Sequence, residues 1–167
     1  MALLSFEEFS HLPFEIKGRF LGCDVGEKTI GLALSDKRKK IASPFQVIHR
    51  TQWKRDAESL LKIMNDFEII GIVVGFPLNM NGSEGPRCQS TRQFASNLLV
   101  VHDLPLCLWD ERLSTIAVTR TLLKADLSRA KREKVVDKMA ASYILQGFLD
   151  RFWRSRLIDE NKDSFFE

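Results

Sequence analysis

The spacing of apolar positions changes several times along the chain, and each change marks an element. Residues 19–25 (RFLGCDV) are almost wholly apolar and stop at Gly26, which predicts a buried strand. In 30–35 (IGLALS), Ile30, Leu32 and Leu34 alternate with Gly31, Ala33 and Ser35, a strand period with close packing on the small face. A third short strand is expected over 45–49 (FQVIH), after Pro44. From Lys54 the period becomes helical, with Ala57, Leu60, Leu61 and Met64 turned inward. Residues 69–75 (IIGIVVG) then form a β-branched run, the pattern of a central parallel strand covered on both faces.

Residues 76–86 (FPLNMNGSEGP) read as a loop. A helix is expected over about 87–101, with Phe94, Leu98 and Val101 inward, and a fifth strand over 104–109 (LPLCLW). Ser114 is placed to cap a helix reaching about Lys124, and a last helix is expected from near Ser128 to about Arg156. The order β-β-β-α-β-α-β-α-α predicts an α/β fold, a mixed five-stranded sheet flanked by helices. The expected division is a leader over 1–18, one domain over 19–157 and an acidic tail over 158–167. Chemistry is expected at the carboxyl ends of the parallel strands.

Composition narrows the class. With 167 residues, 44% hydrophobic and 28% charged, the chain has the make-up of one globular domain, not a disordered chain, a collagen-like fibre or a coiled-coil rod. No apolar run approaches the roughly 18–20 residues of a membrane span, so no membrane partner is expected. Glu7 and Glu8 interrupt the apolar start, which does not read as a secretory signal. Cys23, Cys88 and Cys107 lack CxxC spacing and read as reduced thiols of a cytoplasmic protein. Net charge is +3, but residues 159–167 carry four acids and one lysine, which leaves +6 on the rest. A basic body fits a polyanionic partner.

Three acids stand out by position. Asp24 lies near the carboxyl end of the first strand, in a run too apolar to welcome a charge. Glu111 follows the fifth strand, whose carboxyl end falls on the same edge of the sheet. Asp137 precedes Ala140, Ala141, Ile144, Phe148 and Phe152, which share its helical face. A carboxylate in line with that apolar stripe must have a partner or reach solvent at the sheet edge. Three acids converging there repel one another unless a cation neutralises them. Hard oxygen donors suit Mg²⁺ or Mn²⁺, and a pair of such ions supports phosphodiester hydrolysis.

The basic residues fit that substrate. Arg129, Lys131, Arg132, Lys134 and Lys138 surround Asp137, and phosphate-backbone contact is expected of Arg129, Lys131, Arg132 and Lys134. Lys28, beside the first hairpin, and Arg112, beside Glu111, are expected to join them. The run Lys37–Lys40 reads as solvated surface. The 76–86 loop lacks the Lys-Ser/Thr ending of a P-loop. His11, His49 and His102 have no metal-ligand spacing, and Trp53, Trp109 and Trp153 read as packing residues.

The segments LGCDVGEKTIGLALSD, VVGFPLNMNGSEGP, WDERLST and SRAKREKVVDKMAASYILQ together resemble the YqgF (RuvX) family. They occur in the family's order over about Leu21 to Gln146. The resemblance implies an RNase H-like fold related to Holliday-junction resolvases, and a nuclease that matures the 5′ end of pre-16S rRNA. It also implies that the acids of D-x-G, D-E-R and V-D-K-x-A-A, which are Asp24, Glu111 and Asp137, are catalytic and bind the metal. Other readings remain open: resolution of four-way DNA, a non-catalytic nucleic-acid-binding ribosome-assembly factor, or a phosphotransferase of the actin and sugar-kinase type, which needs two such domains. The sequence leaves open pre-rRNA against branched DNA, and monomer against homodimer.

Overall fold

The computed structural model describes residues 3–14, 17–113 and 129–165, with the backbone alone at 129–138 and 165. Five strands form one sheet: β1 (Arg19–Val25), β2 (Thr29–Ser35), β3 (Ala42–His49), β4 (Ile69–Phe76) and β5 (Leu106–Asp110), in the order β3-β2-β1-β4-β5. β2 runs antiparallel to β1 and β3, whereas β1, β4 and β5 are parallel. This is the expected mixed sheet. It brings the carboxyl ends of three neighbouring strands to one edge.

Helices cover both faces. On one face α2 (Trp53–Asp66) and α3 (Pro86–Val101) pack against Leu21, Cys23, Val25, Ile72 and Val74. On the other, α1 (Phe6–Ser10) and α4 (Arg129–Phe165) pack against Phe20, Ala33, Val73 and Cys107. The alternation along β1 follows from the two-residue period of a strand, and it explains why both sets are apolar. Among the described residues, no helix is long and apolar enough to cross a membrane.

The structure departs from expectation in four places. β3 begins at Ala42, not Phe45, and runs through Pro44, which lies opposite Ala33 beside a register shift. On an edge strand the missing proline N–H costs no ladder bond. The leader forms α1, closed by a capping box in which Ser5 and Glu8 bond each other's backbone N–H. Leu4 N–H donates to the Leu106 carbonyl at 2.9 Å, and Phe9 is fully buried, so the leader packs into the domain through its phenylalanines. α4 continues past Arg156 to Phe165, through the acidic segment, and its far part is pinned by His11 to Asp159 at 3.0 Å. Lys39, expected in solvated surface, is buried. The helix expected over 114–124 lies outside the described residues.

Candidate active site

Asp24 is the penultimate residue of β1 and only 6% exposed. Its face of the sheet follows from Gly22, two residues earlier. A Cβ built on Gly22 would lie 2.8 Å from Leu145 Cβ and 3.1 Å from the Ala141 carbonyl oxygen, so both residues face α4. Cys23 pairs with Val74, which makes Gly75 the next neighbour of Asp24 on β4.

Glu111 opens a single 3-10 turn, Glu111–Leu113, directly after β5. Its side chain folds back over β4. A Cβ on Gly75 would meet Glu111 Oε1 at 2.7 Å and Ile144 Cδ1 at 2.5 Å. The Glu111 carboxylate therefore lies over Gly75, on the α4 face, one strand away from Asp24. Adjacent strands are about 4.8 Å apart. Two of the three expected acids thus meet at the carboxyl edge of the parallel strands, in a space that exists because Gly75 has no side chain. The negative charge of Asp24 is felt next door: burial first, and then that charge, push the Cys23 thiol up to about 12.

Asp110 turns to a different task. Arg112 Nε donates to both its carboxylate oxygens at 3.1 Å, and Nη2 donates to Oδ2 at 2.8 Å. The Arg112 backbone N–H adds a bond to Oδ1 at 3.0 Å. These bonds hold the Asp110 carboxyl below the usual carboxylate range. Arg112 Nη1 also donates to the Met80 carbonyl at 3.3 Å, tying the turn that carries Glu111 to the loop after β4. So Arg112, expected on phosphate, is engaged within the chain. That loop is ordered by its own bonds: Gly82 N–H to the Asn79 carbonyl at 2.8 Å and Asn79 N–H to the Ser83 carbonyl at 2.9 Å. Gly82 has φ of +86°, a left-handed turn that glycine adopts without penalty.

Lys28 is exposed in the β1–β2 turn, on the same edge as the two acids. Asp137, Arg129, Lys131, Arg132 and Lys134 fall on the first turns of α4, and their side chains lie outside the described residues. Among the described residues no three His, Cys, Asp or Glu side chains form a metal-binding group. What the described pair offers is one buried and one half-buried carboxylate on the same face and edge of the sheet, which is the donor chemistry of a hard divalent cation. Sequence reasoning missed Gly22 and Gly75, which let α4 and the Glu111 side chain approach the strands, and the Arg112 tether. Glycine inside an otherwise apolar strand was the available signal for the first two.

The profile of the family described as RuvX, Holliday junction resolvase, matches residues 18–151. A Paramagnetospirillum magneticum protein is 60% identical over 132 residues, covering 79% of this chain and 85% of its own length. One from Paracoccus denitrificans is 55% identical over 134 residues, covering 80% and 85%. Both carry the name "Putative pre-16S rRNA nuclease". Among solved structures, Thermus thermophilus RuvC in complex with a Holliday junction superposes with a TM-score of 0.52 at 15% identity, covering 80% of this chain and 95% of that one. The yeast mitochondrial Holliday junction resolvase gives 0.52 at 15% identity, covering 97% and 90%. At such identities these two report a shared fold.

Proposed function

We propose that this chain, which belongs to the RuvX family, is a nuclease that hydrolyses phosphodiester bonds with divalent cations, and that its substrate is the 5′ region of pre-16S rRNA. The observation that carries the reading is the Glu111 carboxylate lying over Gly75, on the same face and edge as buried Asp24. The relatives' names support pre-16S rRNA as the substrate, and the resemblance of the motifs points to its 5′ end. Asp24, Glu111 and Asp137 would hold the cations, Mg²⁺ or Mn²⁺.

Ala141 lies over Gly22. Moving from Gly22 to Asp24 advances about 6.6 Å along the strand, and moving from Ala141 to position 137 advances about 6 Å along the helix. Phe152 and Phe148 pack on Phe20, so helix and strand run in opposite directions, and position 137 falls toward the Asp24 end. When bound, such ions activate a water and stabilise the leaving oxygen. The chain's own residues do the rest. Gly75 leaves room for Glu111, the Asp110–Arg112 pair fixes the turn that presents it, and Lys28 with the basic start of α4 meets the flanking phosphates.

The test is cleavage of matched pre-16S rRNA and four-way DNA with Mg²⁺, by the parent and by Asp24→Asn, Glu111→Gln and Asp137→Asn. Each substitution keeps shape but removes the charge a hard cation requires, so activity should fall at least about a hundredfold with the melting temperature retained. Full activity in Asp24→Asn would sink the proposal. The family's description and the RuvC-like fold favour four-way DNA as a second reading, and preferential cutting of the junction would select it.

A further inference from the structure

We infer that a cleft beside β5, between α1 and α4, takes one unpaired nucleotide of the substrate strand next to the bond to be cut, its base against Arg151 and an acceptor atom on the indole N–H of Trp109. The cavity there measures about 450 Å³. Phe6 and Trp109 form one part of its described wall, and Gly147, Arg151 and Ser155 of α4 form another. Leu113 and Ile158, each 55% exposed, add apolar surface.

Position ties the cleft to the carboxylates. Trp109 pairs with Gly75 of β4, the residue over which the Glu111 carboxylate lies. One strand spacing, about 4.8 Å, therefore separates Trp109 from the strand position beneath that carboxylate. Leu113 closes the 3-10 turn that Glu111 opens. A strand whose phosphate reaches Glu111 thus brings its neighbouring nucleotide to the cleft.

The lining is built for a flat, polar-edged ligand. Trp109 is 3% exposed, and its Nε1 is a buried donor with no hydrogen-bond partner among the described residues. Such a donor costs free energy until an acceptor pairs with it. The Arg151 guanidinium lies 4.6 Å over the Phe6 ring and 5.9 Å from the Trp109 ring. Arg151 is exposed, and among the described residues it forms no salt bridge, nor does Glu7, the acid of the described lining. A guanidinium lying over a ring offers its second face to a base, a stacking mode of unpaired RNA. Because Arg151 is the exposed side chain over the indole, its shift onto an incoming base opens the way to Nε1. Arg154 also borders Asp150 and Glu160 in the adjoining groove, so Arg151 is the cation assigned to the nucleotide. Gly147 lies in the interior of α4, where glycine weakens a helix relative to alanine, and its missing side chain leaves the cleft open. A base in a duplex keeps its edge paired and its faces stacked, so an unpaired nucleotide is what fits. Base and ribose oxygens supply acceptors for the Trp109 N–H and the Ser155 hydroxyl. The inference rests on the nuclease reading and deepens it, since it requires the strand to be single beside the cut.

The experiment measures binding, without divalent cations, of two fluorescein-labelled RNAs: a blunt hairpin, and the same hairpin with a single-stranded extension of about five nucleotides. The parent should bind the extended hairpin on the order of tenfold more tightly, the effect of stacking one base. Arg151→Ala, Trp109→Phe and Gly147→Leu remove the stacking face, the donor and the open space in turn. Each should shrink that ratio by about threefold or more. Gly147→Leu should keep the parental melting temperature, because leucine favours the helix, and so separates filling of the cleft from loss of the fold. A parent that binds both hairpins equally overturns the subsite. A parental ratio in any of the three variants also overturns it, including one reached by equal weakening on both hairpins, which marks a diffuse field. If the parent cleaves with Mg²⁺ but shows no preference, only the subsite falls. If the parent neither binds nor cleaves either RNA or four-way DNA, the nuclease reading falls too.

Discussion

Helix α4 meets the sheet in two different ways along its length. Toward the carboxyl edge the strands present glycine to the helix, with Gly22 against Ala141 and Leu145 and Gly75 against Ile144. Toward the opposite edge it is ring against ring. Phe9, Phe20 and Phe148 pack at centroid distances of 5.2–6.1 Å, mostly edge to face, and Phe152 joins Phe20 at 5.5 Å. The wide end supplies adhesion, because each buried aromatic removes a large apolar area from water, worth roughly 1.5–3 kcal/mol. At the narrow end Ile144 and Leu145 are fully buried against strand positions that carry no side chain. What it provides is proximity, bringing the helix backbone against the strands beside Asp24 and Glu111. Stability and the proposed chemistry are thus divided along one helix.

The largest effect expected follows at the wide end. Phe148 is fully buried and touches Phe6, Phe9, Phe20, Trp109 and Phe152. Phe148→Ala should cost about 3–5 kcal/mol, with a fall in melting temperature of roughly ten degrees or more. Cleavage by the folded fraction should stay within about twofold of the parent. A stable variant with lost activity would break the division, because it would place chemistry at the aromatic end.

The narrow end comes next. A Cβ at Gly22 meets backbone, the Ala141 carbonyl oxygen, so the helix itself must move. Gly22→Ala should therefore cost about 1–3 kcal/mol, the range of an overpacked core. Gly75→Ala meets Ile144 and the Glu111 carboxylate, both side chains. It should cost less stability but displace Glu111, so that cleavage falls further than in Gly22→Ala. Melting curves and cleavage rates on the two variants check the ordering. A Gly75→Ala protein with parental cleavage would show that Glu111 does not act from where it lies.

The strands and the place of the acids were legible in the sequence because both depend on local pattern. The β-branched run 69–75 and the alternation in 30–35 fix the strands, and parallel strands put Asp24 and Glu111 on one edge. The leader was not legible. Its role rests on Phe9 and Phe14 meeting Phe20, Phe148 and Phe152, contacts over a hundred residues away in some cases and invisible to periodicity. At the turn 36–41, Lys37, Arg38 and Lys40 are exposed as expected, and only buried Lys39 was misread, for a similar reason. Four basic residues in a row look solvated, and only Trp153 and Gln146 from α4 reveal that the turn is held. The two interior glycines carried a readable signal, but which helix approached them was a tertiary fact.

The smallest effect tests how the wide end is closed over the β2–β3 turn. Burial pushes the Asp36 carboxyl up, yet the N–H groups of Ile41 and Lys40, together with nearby Arg38, outweigh it and leave the carboxyl below its ordinary value. A carboxyl lowered in the folded state stabilises it at any pH above the unfolded value of about 3.9, and that contribution is lost as pH falls through the folded value. Asp36→Ala removes two backbone acceptor bonds at a largely solvated position. The cost should be only about 1 kcal/mol at pH 7, after allowance for screening. The difference between parent and variant should be constant from pH 7 to 5 and should narrow below about pH 4, as the parent takes up a proton. Urea unfolding of both proteins across that range measures it. A difference that widened on acidification would reverse the sign, and would mean that Asp36 is held protonated in the turn and not as the acceptor that orders Lys39 and Lys40.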